Sequence, residues 1–291
     1  MNTSRLRLIK VIKMRKLFSK TMLVCVFVIC FAFCAYGAEK ASVDTSSLSK
    51  GMVGVKYTGG SGKGIVVQIS KSGSTVYTYQ LNNAGNTETF ALTDGDGTYS
   101  IKVFENTSGT KYAQIFSKDV TMKLDNEFAP FLSPNQYVNY TSGANVVKKA
   151  AEITRGETDE LKKVQIIYNF AVDNISYDYD KAKTVKSGYL PNPDETLSTC
   201  KGICFDYAAV MASMLRSQKI PTKLVIGYAG ETYHAWINVY ITGTGWVDSI
   251  IYFDGTKWTL MDPTFASTGK KNQAVQEFIA NPENYKQMYA Y

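Results

Sequence analysis

The chain has 291 residues and a formal charge of +7, but seven of its 32 Lys and Arg fall in residues 1–38, where no acidic residue stands. The remainder carries 25 basic against 25 acidic side chains, which excludes a nucleic-acid partner argued from charge. Three of the five cysteines (Cys25, Cys30, Cys34) lie in the same segment, and Cys200 with Cys204 is too few for a disulfide framework.

Residues 1–20 are basic, residues 21–36 read TMLVCVFVICFAFCAY, and Ala35 and Gly37 precede a cut after Gly37. A basic start, an apolar run and a small-residue site describe an export signal over 1–38. An uncleaved anchor is the rival reading, because about 16–18 apolar residues nearly span a bilayer. Both put the working part outside the cytoplasm, with contact to the membrane only if the signal stays. The roughly 250 residues that follow suggest two domains, a β-sandwich over 39–127 and a catalytic domain over 145–291, joined by a connector over 128–144.

From Met52 to Leu124 the pattern is that of strands. The runs 52–57, 64–70, 75–81, 87–92, 98–105 and 119–124 are short and β-prone, and turn clusters such as Asp94-Gly95-Asp96-Gly97 separate them. Tyr99, Ile101 and Val103 share one face. This spacing predicts a small antiparallel sandwich, for which an immunoglobulin-like form is one option. With no histidine or cysteine in it, the plain expectation is a spacer or adhesion module.

Helical spacing returns at 146–153 and at 158–172, where Leu161, Val164, Ile167, Phe170 and Ala171 fall on one face. Residues 181–199, with Tyr189, Pro191 and Pro193, read as a long irregular cleft wall. Next comes Lys201-Gly202-Ile203-Cys204-Phe205-Asp206-Tyr207-Ala208, opening a run to Gln218 in which Val210, Met211, Met214 and Leu215 recur at helical spacing and Arg216 and Gln218 are polar. Gly202 would let the backbone turn into this helix. Cys204 then sits in the first turn, where unpaired N–H groups and the helix dipole favour a thiolate. A buried core cysteine is the alternative. Strands are expected at 223–228, 233–241 and 257–260, a turn at 229–232, and a short helix at 273–280. Helices followed by paired strands make this half α+β.

His234 is the only histidine of the chain, in the β-prone run Tyr233-His234-Ala235-Trp236-Ile237-Asn238-Val239-Tyr240. Asp262 lies in Trp258-Thr259-Leu260-Met261-Asp262-Pro263, where Pro263 ends strand pairing. Cysteine, histidine and aspartate in that order match a nucleophile, its base and the group that orients the imidazole.

The contexts GICFDYA, YHAWINVYI and WTLMDPTF resemble the transglutaminase-like superfamily, a branch of papain-type cysteine enzymes, over roughly residues 145–265. The resemblance implies an α+β domain with a helix-borne nucleophile facing an antiparallel sheet, with Cys204 as nucleophile, His234 as base and Asp262 as orienting acid. It implies no cofactor and no metal, since nothing here resembles a calcium loop. Where many relatives carry a polar or acidic residue three or four positions after the histidine, this chain has Ile237 and Asn238, so the acid is absent. Asp206, Asp248 and Asp254 match no catalytic position. The activity implied is acyl transfer on a protein, peptide or cell-wall peptide substrate. Hydrolysis and Gln–Lys crosslinking both remain open, as does a surface binding or scaffold protein with a silent fold. The backbone N–H of Cys204 is the natural first oxyanion donor, with Tyr189 one option for a side-chain donor. Cys200 is expected either to pack in the loop or, if a turn brings it within about 7 Å of Cys204, to trap an oxidised nucleophile as a disulfide.

Overall fold

The structure, a computed structural model, describes residues 39–248, 251–253, 258–260 and 281–291, the second and third of these as backbone. The export signal, Asp254, Asp262 and the expected helix at 273–280 lie outside the described residues.

The alternating runs fold as β1 (Ala41–Asp44), β2 (Met52–Tyr57), β3 (Ile65–Lys71), β4 (Tyr77–Leu81), β5 (Thr87–Ala91), β6 (Gly97–Ser108) and β7 (Lys111–Met122). They form two antiparallel sheets, ordered β1-β2-β5 and β4-β3-β6-β7, that face each other through Val53, Val55, Val67, Tyr99, Ile101 and Val103. This is a β-sandwich, as the alternation predicts. β7 starts eight residues before the expected run at 119–124, because its mostly half-buried first half also pairs with β6, through a bulge near Val103. Gly51 turns the chain into β2 at φ +70°, and a Cβ there would stand 2.4 Å from Pro130 Cγ.

The second half runs α1 (Asn145–Ile153), α2 (Glu160–Asn174), β8 (Ser176–Tyr177), α3 (Tyr179–Thr184), α4 (Pro193–Thr199), β9 (Lys201–Gly202) and α5 (Cys204–Ser217). β10 (Thr222–Ala229), β11 (Thr232–Ile241), β12 (Gly245–Val247), β13 (Ile251–Phe253), β14 (Trp258–Leu260) and β15 (Tyr285–Ala290) follow. The expected irregular wall therefore carries two short helices, α3 and α4, each started by a side-chain cap from Asp178 or Asn192. β12, β11, β10 and β15 form an antiparallel sheet in that order. α5 packs against β10 and β11 on one side and against α1, α2 and α4 on the other. It is consequently buried from Asp206 to Arg216, on every face. The fold is an α+β helix-on-sheet unit preceded by a sandwich.

The sandwich packs directly onto the second half. Buried residues of both halves belong to one continuous hydrophobic cluster. Tyr77 and Tyr79 of β4 meet Tyr291 edge-on at 5.4 and 5.9 Å, and Tyr79 stacks on Tyr137 of the connector at 5.8 Å. Thr93 donates to the Ala290 carbonyl at 2.9 Å, and Gln136 donates to Gln80 O and to Glu88. Arg216, which the helical pattern puts on a polar face, is instead 1% exposed. Its guanidinium donates to the carbonyls of Thr222, Ser133 and Tyr291 at 2.9, 2.6 and 2.6 Å, tying sheet, connector and β15 to α5.

Candidate active site

Cys204 is the first residue of α5, after Ile203 in extended conformation. Asp206, at the third helical position, accepts the Ile203 N–H at 2.8 Å and so closes the helix start. The amides of Cys204 and Phe205, next in line, donate to no acceptor among the described residues. The thiol itself is half-buried, packed on the shared core.

Asp206 does more than cap. It is 0% exposed and accepts from Lys181 Nζ at 2.8 Å and from the Tyr189 hydroxyl at 2.5 Å. Lys181 also lies over the Tyr189 ring, 4.4 Å from its centroid. Burial, and then the bond to Asp206, push the Tyr189 phenol well above its ordinary pKa. Tyr189 is thereby committed to Asp206 and is not the free oxyanion donor it was one option for. Gly202 also acts differently from expectation: its φ is not positive, and a Cβ on it would stand 2.6 Å from Asp206 Cβ. It is glycine to admit the Asp206 side chain, not to turn the chain.

Cys200 is exposed, in the left-handed conformation at φ 53°, with its thiol directed to the Leu197 carbonyl. From there the backbone runs through β9 and extended Ile203 to Cys204. Four extended residues span ~13 Å, about twice the reach of a disulfide. The turn that a Cys200–Cys204 trap requires is absent, and Cys200 is exposed rather than packed in the loop.

His234 lies on β11, 4% exposed, directly opposite Gly227 of β10. Alternation puts it on one face with Trp236, Asn238 and Tyr240, while Ala235, Ile237 and Val239 face the α5 cluster. The imidazole stacks on the Trp236 ring at 6.3 Å and 21°. Gly227 makes room for this arrangement, since a Cβ there would meet the Lys286 carbonyl at 2.0 Å and Trp236 at 2.8 Å. Asn238, four residues after His234, donates to Asp248 at 2.8 Å, so the carboxylate on this face comes from past β12. Tyr233, next to His234, has its phenol raised by burial first, then by Tyr289, Tyr137, Tyr228 and Cys204. Cys204 is thus within electrostatic reach of Tyr233, near the start of β11. The structure brings the thiol and the histidine strand to the same end of the sheet, while Asp262 lies outside the described residues. Among the described residues no three His, Cys, Asp or Glu side chains gather as a metal would need.

A cysteine thus opens a buried helix that packs along an antiparallel strand carrying a buried histidine. Residues 147–249 match the transglutaminase-like superfamily. The UPF0252 protein MJ1282 of Methanocaldococcus jannaschii is 27% identical over 187 residues, 58% of this chain and 53% of the relative. The chain thus spans about half the length of that relative. A UPF0252 protein of Pyrococcus horikoshii is 29% identical over 80 residues, 26% of this chain and 23% of its own. Among solved structures, a candidate cysteine protease from Cytophaga hutchinsonii is similar at 16% identity and TM-score 0.42, covering 90% of this chain and 74% of its own. Red sea bream transglutaminase is similar at 12% identity and TM-score 0.33, covering 79% and 53%.

Proposed function

We propose that the chain is an extracytoplasmic, thiol-dependent acyl-transfer enzyme acting on amide bonds of a protein, peptide or cell-wall peptide. One observation carries this reading: a half-buried thiol at the open first turn of α5, beside the strand that holds the only histidine of the chain. The superfamily match spans both residues. In the proposed cycle the Cys204 sulfur adds to the amide carbon as its proton passes to His234, and the carbonyl π pair moves onto oxygen. Collapse restores the carbonyl and breaks the C–N bond, His234 giving its proton to the leaving nitrogen. Asp262 orients the imidazole. Water or an amine then resolves the thioester, giving hydrolysis or transamidation. The basic and apolar segment 1–38 supports export.

The test is acylation of the purified protein with a peptide thioester, with and without an added primary amine, followed by intact mass and peptide mapping. An acyl adduct on Cys204, released by water or captured by the amine, is expected. No adduct on Cys204, or wild-type acylation in His234→Ala, overturns the proposal.

A further inference from the structure

The β10–β11 hairpin presents a pair of tyrosines on the thiol side of the sheet. Tyr228 and Tyr233 face each other in register, meet edge-on at 5.6 Å, and are 37% and 41% exposed. Alternation puts Tyr233 on the face of β11 shared by Ala235 and Ile237, the face covered by α5. A series of ring contacts runs from the nucleophile's neighbour to the strand paired with β10. Phe205, beside Cys204, lies 5.4 Å from Tyr137, Tyr137 lies 4.4 Å from Tyr291, and Tyr291 stacks on Tyr289 at 6.2 Å. Tyr289 in turn is registered against Ile226, two residues before Tyr228. Within this wall the Tyr233 hydroxyl has no hydrogen-bond acceptor among the described residues. Its pKa is raised, mainly by burial, with the neighbouring phenols and Cys204 adding to it, so it remains a neutral O–H at any working pH. Tyr189, the other tyrosine near the helix start, is already bonded to Asp206.

We infer that Tyr233 supplies the side-chain hydrogen bond to the oxyanion formed when Cys204 adds to a substrate carbonyl. The proposal rests on the nucleophilic role of Cys204. When the sulfur–carbon bond forms and the π pair moves to oxygen, the Cys204 amide donates from one side and the Tyr233 O–H from the other. No proton leaves Tyr233; the bond strengthens as charge develops on oxygen and relaxes when the carbonyl is restored. A neutral donor held in a partly desolvated site is the chemistry such stabilisation needs. The residue that precedes the base in sequence thus serves the opposite end of the reacting bond.

Tyr233→Phe tests this, because it keeps the ring against Tyr228 and removes only the hydroxyl. Three probes separate the roles: acylation by p-nitrophenyl acetate, affinity for the aldehyde acetyl-phenylalanyl-glycinal, and alkylation by iodoacetamide. The first two place an oxyanion or its hemithioacetal equivalent at the site, whereas alkylation expels iodide and forms none. Acylation is expected to fall ~100-fold in Tyr233→Phe, with aldehyde affinity falling alongside it and the alkylation rate unchanged. Wild-type acylation in Tyr233→Phe overturns the inference. So does an equal loss in alkylation, which marks a positioning role, or a loss carried by Tyr228→Phe instead. A wild-type protein that none of the three probes modifies at Cys204 overturns the nucleophile, and the inference with it.

Discussion

Arg216→Met removes a group that joins α5 to the connector, the sheet and the residue after β15, while nearly preserving volume. Three carbonyls at 2.9, 2.6 and 2.6 Å lose a charged donor. Hydrogen bonds to charged groups contribute about 1.5–3 kcal/mol each, so the loss is bounded at about 9 kcal/mol. Against this stands the cost of holding a guanidinium away from water. Burial lowers the Arg216 pKa from 12.5 to about 10, and that difference corresponds to about 3 kcal/mol on the charged form. Arg216 stays charged regardless; the lowered value measures how strongly burial opposes it. The net destabilisation is about 2–6 kcal/mol, a fall in Tm of order 10 °C for a chain of this size. Thermal unfolding followed by far-UV circular dichroism and by calorimetry reads it directly. Arg216→Lys keeps the charge but not the planar fork, and is expected to unfold at least as early. A Tm within a degree of wild type for either variant would refute the assignment of Arg216 as the tie.

Gly227→Ala sets a Cβ 2.0 Å from the Lys286 carbonyl, so β15 must shift; a loss of about 3 kcal/mol should appear in urea denaturation, and an unchanged midpoint counts against it. Glu105 is held below its usual pKa by the Tyr57 hydroxyl, against burial and with help from Lys40. Its folded pKa lies below the unfolded one near 4.5, so its stabilisation is present above that pH and is lost as pH falls through the folded value. Glu105→Gln should therefore be less stable at pH 7 and show a flatter acid limb in a pH series of melts; parallel curves would contradict this. Asp206→Asn leaves Lys181 and Tyr189 without their carboxylate, and breaking such a buried pair costs about 3 kcal/mol, with limited proteolysis near residues 181–189 as the readout. For the proposed chemistry, Cys204→Ala and His234→Ala should each abolish turnover and keep the fold. Asp262→Asn should retain a trace, lower by ~10⁴; full turnover in Cys204→Ala would end the mechanism.

Local features were the readable ones. Apolar spacing and the residues flanking Cys204 put the thiol at a helix start, and alternation put His234 in a strand, because both signals are carried by neighbours in sequence. Features made by distant partners were not readable. Arg216 looks like an ordinary polar-face residue until Ser133 and Tyr291 surround it. Gly202 reads as a turn glycine until the Asp206 side chain is seen to need its space. β15 has an exposed, polar stretch with no apolar stripe and becomes a strand by pairing with β10. The sandwich reads as separate because no periodicity reports that Tyr77 and Tyr79 meet Tyr291. In the site, the proposed orienting acid, Asp262, lies outside the described residues, whereas the Asp206–Lys181–Tyr189 set carried no signal beyond a carboxylate at the third helical position.

The seam between the halves has a consequence for size. A sandwich of some 90 residues buries a modest share of its surface, since small bodies are mostly skin; a body of about 250 residues buries about three-quarters of what its unfolded chain exposes. By placing Tyr77, Tyr79, Tyr137 and Tyr291 in one cluster with the α5 core, the chain gains the surface-to-volume ratio of the larger body. Its two halves should then exchange amide hydrogens as one cooperative unit, the slowest sites of β3 and β6 opening together with those of α5.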